Sequence, residues 1–391
     1  MRSFSRGVVG AAISIGFGAL AAAPASGSEP LTPSSSPTRA PAVAVSAAAR
    51  WSFALLGDNT VWGWGLGEQL GDGSSGYIAD PHQCVGGFTD ITAVSGGDTD
   101  SSVALRADGT AWSFGENTQG ELGDGTTIDR VYPVQVVGLT DVVAVSTGYR
   151  FSLALRADGT VWAWGANERG QLGDGTTIER HTPVQVSGLT DVTAIAAGFE
   201  HSLAVRADGS VWTWGNNDYG QLGDGTTTNR SVPAPVLGLT DISAVAGGYV
   251  HSMALSREGH VWAWGHNHSG ELGDGSHQTR LMAVKVHHLT DATAIAAGKY
   301  HSLAVLANGS VRAWGLNRDR QLGHGTLRER SEPVRVRRLH DVVSVSAGDE
   351  HSMAAEADGS VWTWGKNSTH QLGVPEPGEY KKPIMVMKPG S

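Results

Sequence analysis

A nine-residue stretch, Ala157-Asp158-Gly159-Thr160-Val161-Trp162-Ala163-Trp164-Gly165, returns seven times in recognisable form, beginning near Gly57, Ala107, Ala157, Ala207, Arg257, Ala307 and Ala357. The spacing is close to fifty residues throughout. Each copy joins a turn signal to a short apolar strand. Asp-Gly tolerates the positive φ of a tight hairpin turn. In the strand that follows, residues two apart share a face, so Trp162 and Trp164 point one way and Val161 and Ala163 the other. Both faces are apolar, as suits a strand buried on both sides. Twelve of the 13 tryptophans lie in this motif, and only Trp51 stands outside it.

A regular repeat overrides the two-domain expectation for 391 residues, because repeat units stack into one body. Most of the 54 glycines are explained by the repeat, which places them in turns. One unit offers four candidate strands: Val142–Ser146, Ser152–Arg156, Val161–Trp164 and Pro183–Val186. No stretch shows helical periodicity. Four short strands in each of seven units predict an all-β, seven-bladed β-propeller. Ala54, Ala104, Ala154, Ala204, Ala254, Ala304 and Ala354 hold a small residue at one strand position, and the next strand supplies tryptophan bulk. Small against large lets neighbouring blades interdigitate. An open solenoid is the alternative; seven full units without an obvious cap favour a closed ring.

Residues 1–28 read as a secretory signal: Arg2 and Arg6, an apolar run from Val8 to Ala23, then small-residue cleavage sites around Ala25. The run is short for a membrane span, and an uncleaved anchor is the alternative. Cleavage is expected between Ser26 and Glu29. Residues 29–42 read as a Pro/Ser-rich flexible linker, and 43–391 as the propeller. The net charge of −10 becomes −12 without Arg2 and Arg6. Such acidity disfavours nucleic acid. Cys84 is the single cysteine, so no intramolecular disulfide forms; a partly buried apolar role is expected for it. The mature chain is expected to be a monomer without a membrane span.

The segments His201-Ser202-Leu203-Ala204, Asp208-Gly209, Val211-Trp212-Thr213-Trp214-Gly215, Asn217, Gly220-Gln221-Leu222-Gly223 and Pro233 to Val236 resemble the regulator of chromosome condensation repeat family. The resemblance covers all seven units. It implies four-stranded antiparallel blades and a ring closed by a blade shared between the termini. On that pattern Val43–Ser46 would complete the blade that holds Ser352 to Val386. The pattern weakens between Gly65 and Gln69, at Arg312 where tryptophan is usual, at His324 in place of aspartate, and at Leu372-Gly373-Val374-Pro375.

His201, His251, His301 and His351 recur at one place, where other units carry Trp51, Ser101 and Phe151. Ligands in different blades diverge, so the expectation is packed histidines bonded to backbone carbonyls, not a metal site. Asp72, Asp124, Asp174, Asp224 and Asp274 lie in Leu-Gly-Asp-Gly loops, with Arg130, Arg180, Arg230, Arg280 and Arg330 six residues beyond the place of this aspartate. One carboxylate per loop argues for an Asp–Arg bridge over calcium. No nucleophile elbow, phosphate loop or His-Glu-x-x-His occurs. No enzyme activity, cofactor or metal is expected.

The functional reading is a secreted scaffold that binds a protein or glycan partner through one loop face. The alternative, implied by the resemblance alone, is a guanine nucleotide exchange factor-like regulator of a small GTPase. The founding family member contacts its GTPase through an inserted β-wedge, and units of near-constant length leave no room for one here. The family's plant ultraviolet-B photoreceptor carries its tryptophans at a place where Gly148-Tyr149-Arg150-Phe151-Ser152 has none, so photoreception is not expected. Within each unit most positions serve packing or turns. Two that do not follow Gly148, Gly198, Gly248, Gly298 and Gly348. There Tyr149, Arg150, Phe199, Glu200, Tyr249, Lys299, Tyr300, Asp349 and Glu350 are the candidate partner-binding residues, because aromatic and arginine side chains anchor interfaces.

Overall fold

The computed structural model describes residues 39–97 and 101–388. The signal, and the linker up to residue 38, lie outside these residues. Seven antiparallel sheets of four strands make seven blades. Blade 3 is representative: Val142–Thr147, Phe151–Arg156, Val161–Gly165 and Arg180–Gln185. The fourth strand begins three residues before the expected Pro183, because Arg180 pairs with Gly165. First strands of neighbouring blades touch, so they line the axis and fourth strands form the rim. The only helical turns among the described residues are the short 3-10 segments Gly67–Gln69 and Val85–Gly87.

The hairpin turn is built as its sequence requires. Gly159 has φ 79°, and the Asp158 carboxylate accepts from Thr160 N–H at 2.9 Å and from its hydroxyl at 2.6 Å. The core lies between blades. Ala204 and Trp214 of blade 4 pack on Leu153, Leu155, Val161 and Ala163 of blade 3. Trp64, Trp164, Trp214, Trp264, Trp314 and Trp364 are fully buried in this way. Cys84 is buried completely, beyond the partial burial expected, and burial drives its thiol pKa well up.

Ring closure departs from the resemblance. Ala42–Ala47 pairs with Trp51–Leu56 inside blade 1, and blade 7 draws all its strands from 342–387. Among the described residues no strand is exchanged between blades. Blade 1 instead lies against blade 7: Ala47 N–H donates to Ser346 Oγ at 2.9 Å, and Trp64 Nε1–H donates to the Gln371 carbonyl at 3.0 Å. The nine-residue strand Glu379–Met387 completes blade 7 alone, so the place that Val43–Ser46 would have taken is filled.

Candidate partner-binding face

In blades 3 to 7 the first strand turns into the second through a glycine and two further residues, whereas blade 1 has Ala48 at the place of the glycine. A Cβ on Gly148 would lie 2.2 Å from the Phe151 ring and 2.4 Å from the Gly198 carbonyl. Only glycine fits, and the two residues after it are carried onto the face of the ring. Neighbouring loops are stitched together there: Tyr149 N–H donates to the Phe199 carbonyl at 2.8 Å, and Phe199 N–H to the Gly248 carbonyl at 3.1 Å.

These bonds bring four rings from four blades into one half-buried file. Tyr149 stacks on Phe199 with centroids 4.1 Å apart, Phe199 lies 3.8 Å from Tyr249, and Tyr249 lies 5.7 Å from Tyr300. Arg150 sits over Tyr149 at 5.4 Å and Lys299 over Tyr249 at 5.1 Å. Burial raises the Tyr300 phenol pKa. The charged candidates are paired locally: Lys299 with Asp349 at 3.5 Å, Glu350 with Lys366, and Glu200 with Asn216 at 2.9 Å and Arg169 at 3.7 Å. All nine candidate residues thus stand on the same end of the blades, with the aromatic ones in contact.

The file continues beyond the residues singled out from the sequence. Tyr300 meets His266 at 5.7 Å, and Tyr219 meets the same imidazole edge-on at 5.1 Å. Buried Glu271 accepts from His266 Nδ1, and the other ring nitrogen lies 3.1 Å from His268 Nδ1. His266 follows the Trp-x-Trp-Gly motif at a place held elsewhere by Ala166, Asn216, Leu316 and Lys366. That variation against a constant background is the signal that finds the 149–150 positions, and it applies equally here.

Beneath the face runs the histidine ring. His201, His251, His301 and His351 are fully buried, and each Nε2 meets a serine hydroxyl of the next blade: Ser252, Ser302, Ser352 and Ser52, at 2.9, 3.0, 2.9 and 2.9 Å. The expected carbonyl partner is one step removed. Ser252 donates to the Gln221 carbonyl at 2.8 Å, which also receives Trp264 Nε1–H at 2.8 Å. The serine hydroxyl gives its proton to the carbonyl, so it accepts from Nε2–H, and burial of the unpartnered Nδ1 keeps the imidazole neutral. Burial pushes the pKa of His201 and His301 down to about 3 and that of His251 and His351 to about 4. These imidazoles are joints between blades.

The Asp–Arg bridge is present as expected: Asp124–Arg130 at 3.0 Å, Asp174–Arg180 at 2.7 Å, Asp274–Arg280 at 2.8 Å, and Asp224–Arg230. The second carboxylate oxygen of Asp174 accepts from Thr176 and Asn167. Burial would raise these carboxyl pKa values, but the hydrogen bonds and arginine lower them further. In blade 1, His82 takes the arginine's place on Asp72 at 2.6 Å.

Residues 86–390 match the profile of the RCC1-like domain family. Over 88 residues the chain is 34% identical to the human E3 ubiquitin-protein ligase HERC2, a match covering 22% of this chain and 2% of HERC2. Over 105 residues it is 28% identical to the zebrafish (Danio rerio) Protein RCC2 homolog, covering 26% of this chain and 21% of that protein. The chain therefore spans only a small part of these curated relatives. Among solved structures, human WBSCR16 superposes with TM-score 0.73 at 26% identity over 81% of this chain and 87% of that one. Prp20p of Saccharomyces cerevisiae superposes with TM-score 0.72 at 24% identity over 83% and 85%; its structure is described together with its binding to Gsp1p and histones.

Proposed function

The chain belongs to the RCC1-like domain family, and on that premise we propose that it is a non-enzymatic, protein-binding propeller whose partner docks on the face bearing Tyr149, Arg150, Phe199, Glu200, Tyr249, Lys299, Tyr300, Asp349 and Glu350. One observation carries this reading: four half-buried aromatic rings from four blades form a continuous file rimmed by paired charges. Such a surface combines apolar anchors with a polar rim, which is the anatomy of an interface. Prp20p, a propeller of the same fold, is described as binding proteins. The basic and apolar start of the chain, followed by small residues, supports export of the domain to the cell surface or beyond, where it would act as a monomer.

A photo-crosslinking amino acid at Phe199 tests the face against its opposite. Strand His201–Arg206 begins at this face and ends at the Ala207 turn. Covalent adducts to a partner from position 199 and none from position 207 are expected. Equal adducts from both, or adducts from 207 alone, overturn the assignment. The exchange-factor reading rests on family resemblance alone; stimulated nucleotide release from a small GTPase would favour it over the scaffold.

A further inference from the structure

At the rim where blade 5 meets blade 6, the chain departs from its own repeat. The connections after the fourth strands of blades 2, 3 and 4 carry Gly138, Gly188 and Gly238 at φ 70°, 66° and 80°. Blade 5 carries His288 there, at φ 56°, preceded by His287, and blade 6 carries Arg338 at φ 69°. A side chain with a Cβ held in the left-handed region is strained. Facing the pair is Glu332 on the fourth strand of blade 6, at the place of Tyr132, Thr182, Val232 and Met282. Residues drawn from two blades, at positions that vary from unit to unit, thus converge.

We propose that His287, His288 and Glu332 form a site for a divalent transition-metal ion of the zinc class. One ligand atom from each lies within 4.8 Å of the other two, and His287 Nδ1 already lies 3.2 Å from Glu332 Oε1. Ligands of a tetrahedral zinc, at bonds of about 2.0–2.2 Å, stand roughly 3.3–3.6 Å apart. All three side chains are exposed, so rotamer adjustment closes the difference. The left-handed turn at His288 is what lets two consecutive histidines face one carboxylate. They line a cleft of about 640 Å³ with Lys285 and Thr290, which leaves room for water as a further ligand. Two imidazoles and one carboxylate, beside a lysine, suit zinc, copper or nickel; calcium and magnesium require more oxygens. Bound metal would tie blade 5 to blade 6 through side chains.

The test is zinc titration of the chelator-treated full chain at pH 7.5, by calorimetry and thermal melting. One equivalent should bind and raise Tm. His287→Ala and Glu332→Gln should each weaken binding at least about tenfold, since even outer partners of metal ligands are worth roughly 10–100-fold. His288→Gly should raise the Tm of the metal-free protein by relieving strain, and abolish the zinc-induced rise. His268→Ala, which removes the close pair with His266, should leave zinc binding unchanged. Absence of binding to the unaltered chain, full binding by His287→Ala, or loss of binding in His268→Ala instead would each overturn the proposal.

Discussion

A buried imidazole with one bond to a serine and nothing on its other nitrogen is a proton-sensitive joint. Nδ1 of His201, His251, His301 and His351 has no hydrogen-bond partner. Their folded pKa values of about 3 to 4 lie below the roughly 6.5 of an unfolded chain. Below pH 6.5 the unfolded state therefore binds more protons, so stability is full above that pH and falls as pH drops towards about 4. At pH 5 each histidine costs up to about 2 kcal/mol. His301→Phe, which copies the residue at Phe151, should lower proton uptake on unfolding at pH 5 by about one and flatten the acid limb of the melting curve. An unchanged uptake would contradict the neutral joint. Glycine is the other residue-scale constraint. A Cβ on Gly173, at φ 68°, would lie 2.7 Å from Trp214 Nε1, so Gly173→Ala should lower Tm sharply without altering strand content.

In blades 1 to 5 the long loop between third and fourth strands is pinned by one aspartate. Asp224 accepts from Asn217, from Thr226 N–H and hydroxyl, and from Arg230. Asp224→Ala should cost about 1–3 kcal/mol. Amide exchange should accelerate in residues 223–229 while the strands of blade 4 keep their protection; uniform acceleration would show that the loop is not an independent element. The strands, their count and this bridge were legible because their signals lie within one unit: Asp-Gly, Trp-x-Trp, and an arginine six residues after an aspartate. The joints were not, because His251 and Ser302 sit in different units and each unit repeats the same candidates. The loop face was legible as variation in a constant frame at Tyr149 and Phe199, but its continuation to His266 and Tyr219 depends on how one blade leans on the next. The same limit hides Glu332 from His287. Stacking has a consequence for mutagenesis here. Phe199→Ala removes two ring contacts at about 0.5–1.5 kcal/mol each, so it should lower Tm by a few degrees as well as weaken partner binding.

Over the whole ring, closure is what makes seven sets of loops one surface. Blade 1 meets blade 7 through the joint used between interior blades, and among the described residues no strand is exchanged. His351 reaches Ser52 at 2.9 Å, and Ser52 donates to the Gln371 carbonyl at 2.8 Å. His251 reaches Ser302 at 3.0 Å, and Ser302 donates to the Glu271 carbonyl at 2.9 Å. A pair of double-mutant cycles compares them directly, one with His351→Phe and Ser52→Ala, the other with His251→Phe and Ser302→Ala, each measured by denaturant unfolding at pH 7.5. The same coupling energy is expected at both junctions, about 1 kcal/mol. Coupling at the interior junction with none between His351 and Ser52 would contradict it, and would mean that the ring is closed by some other contact.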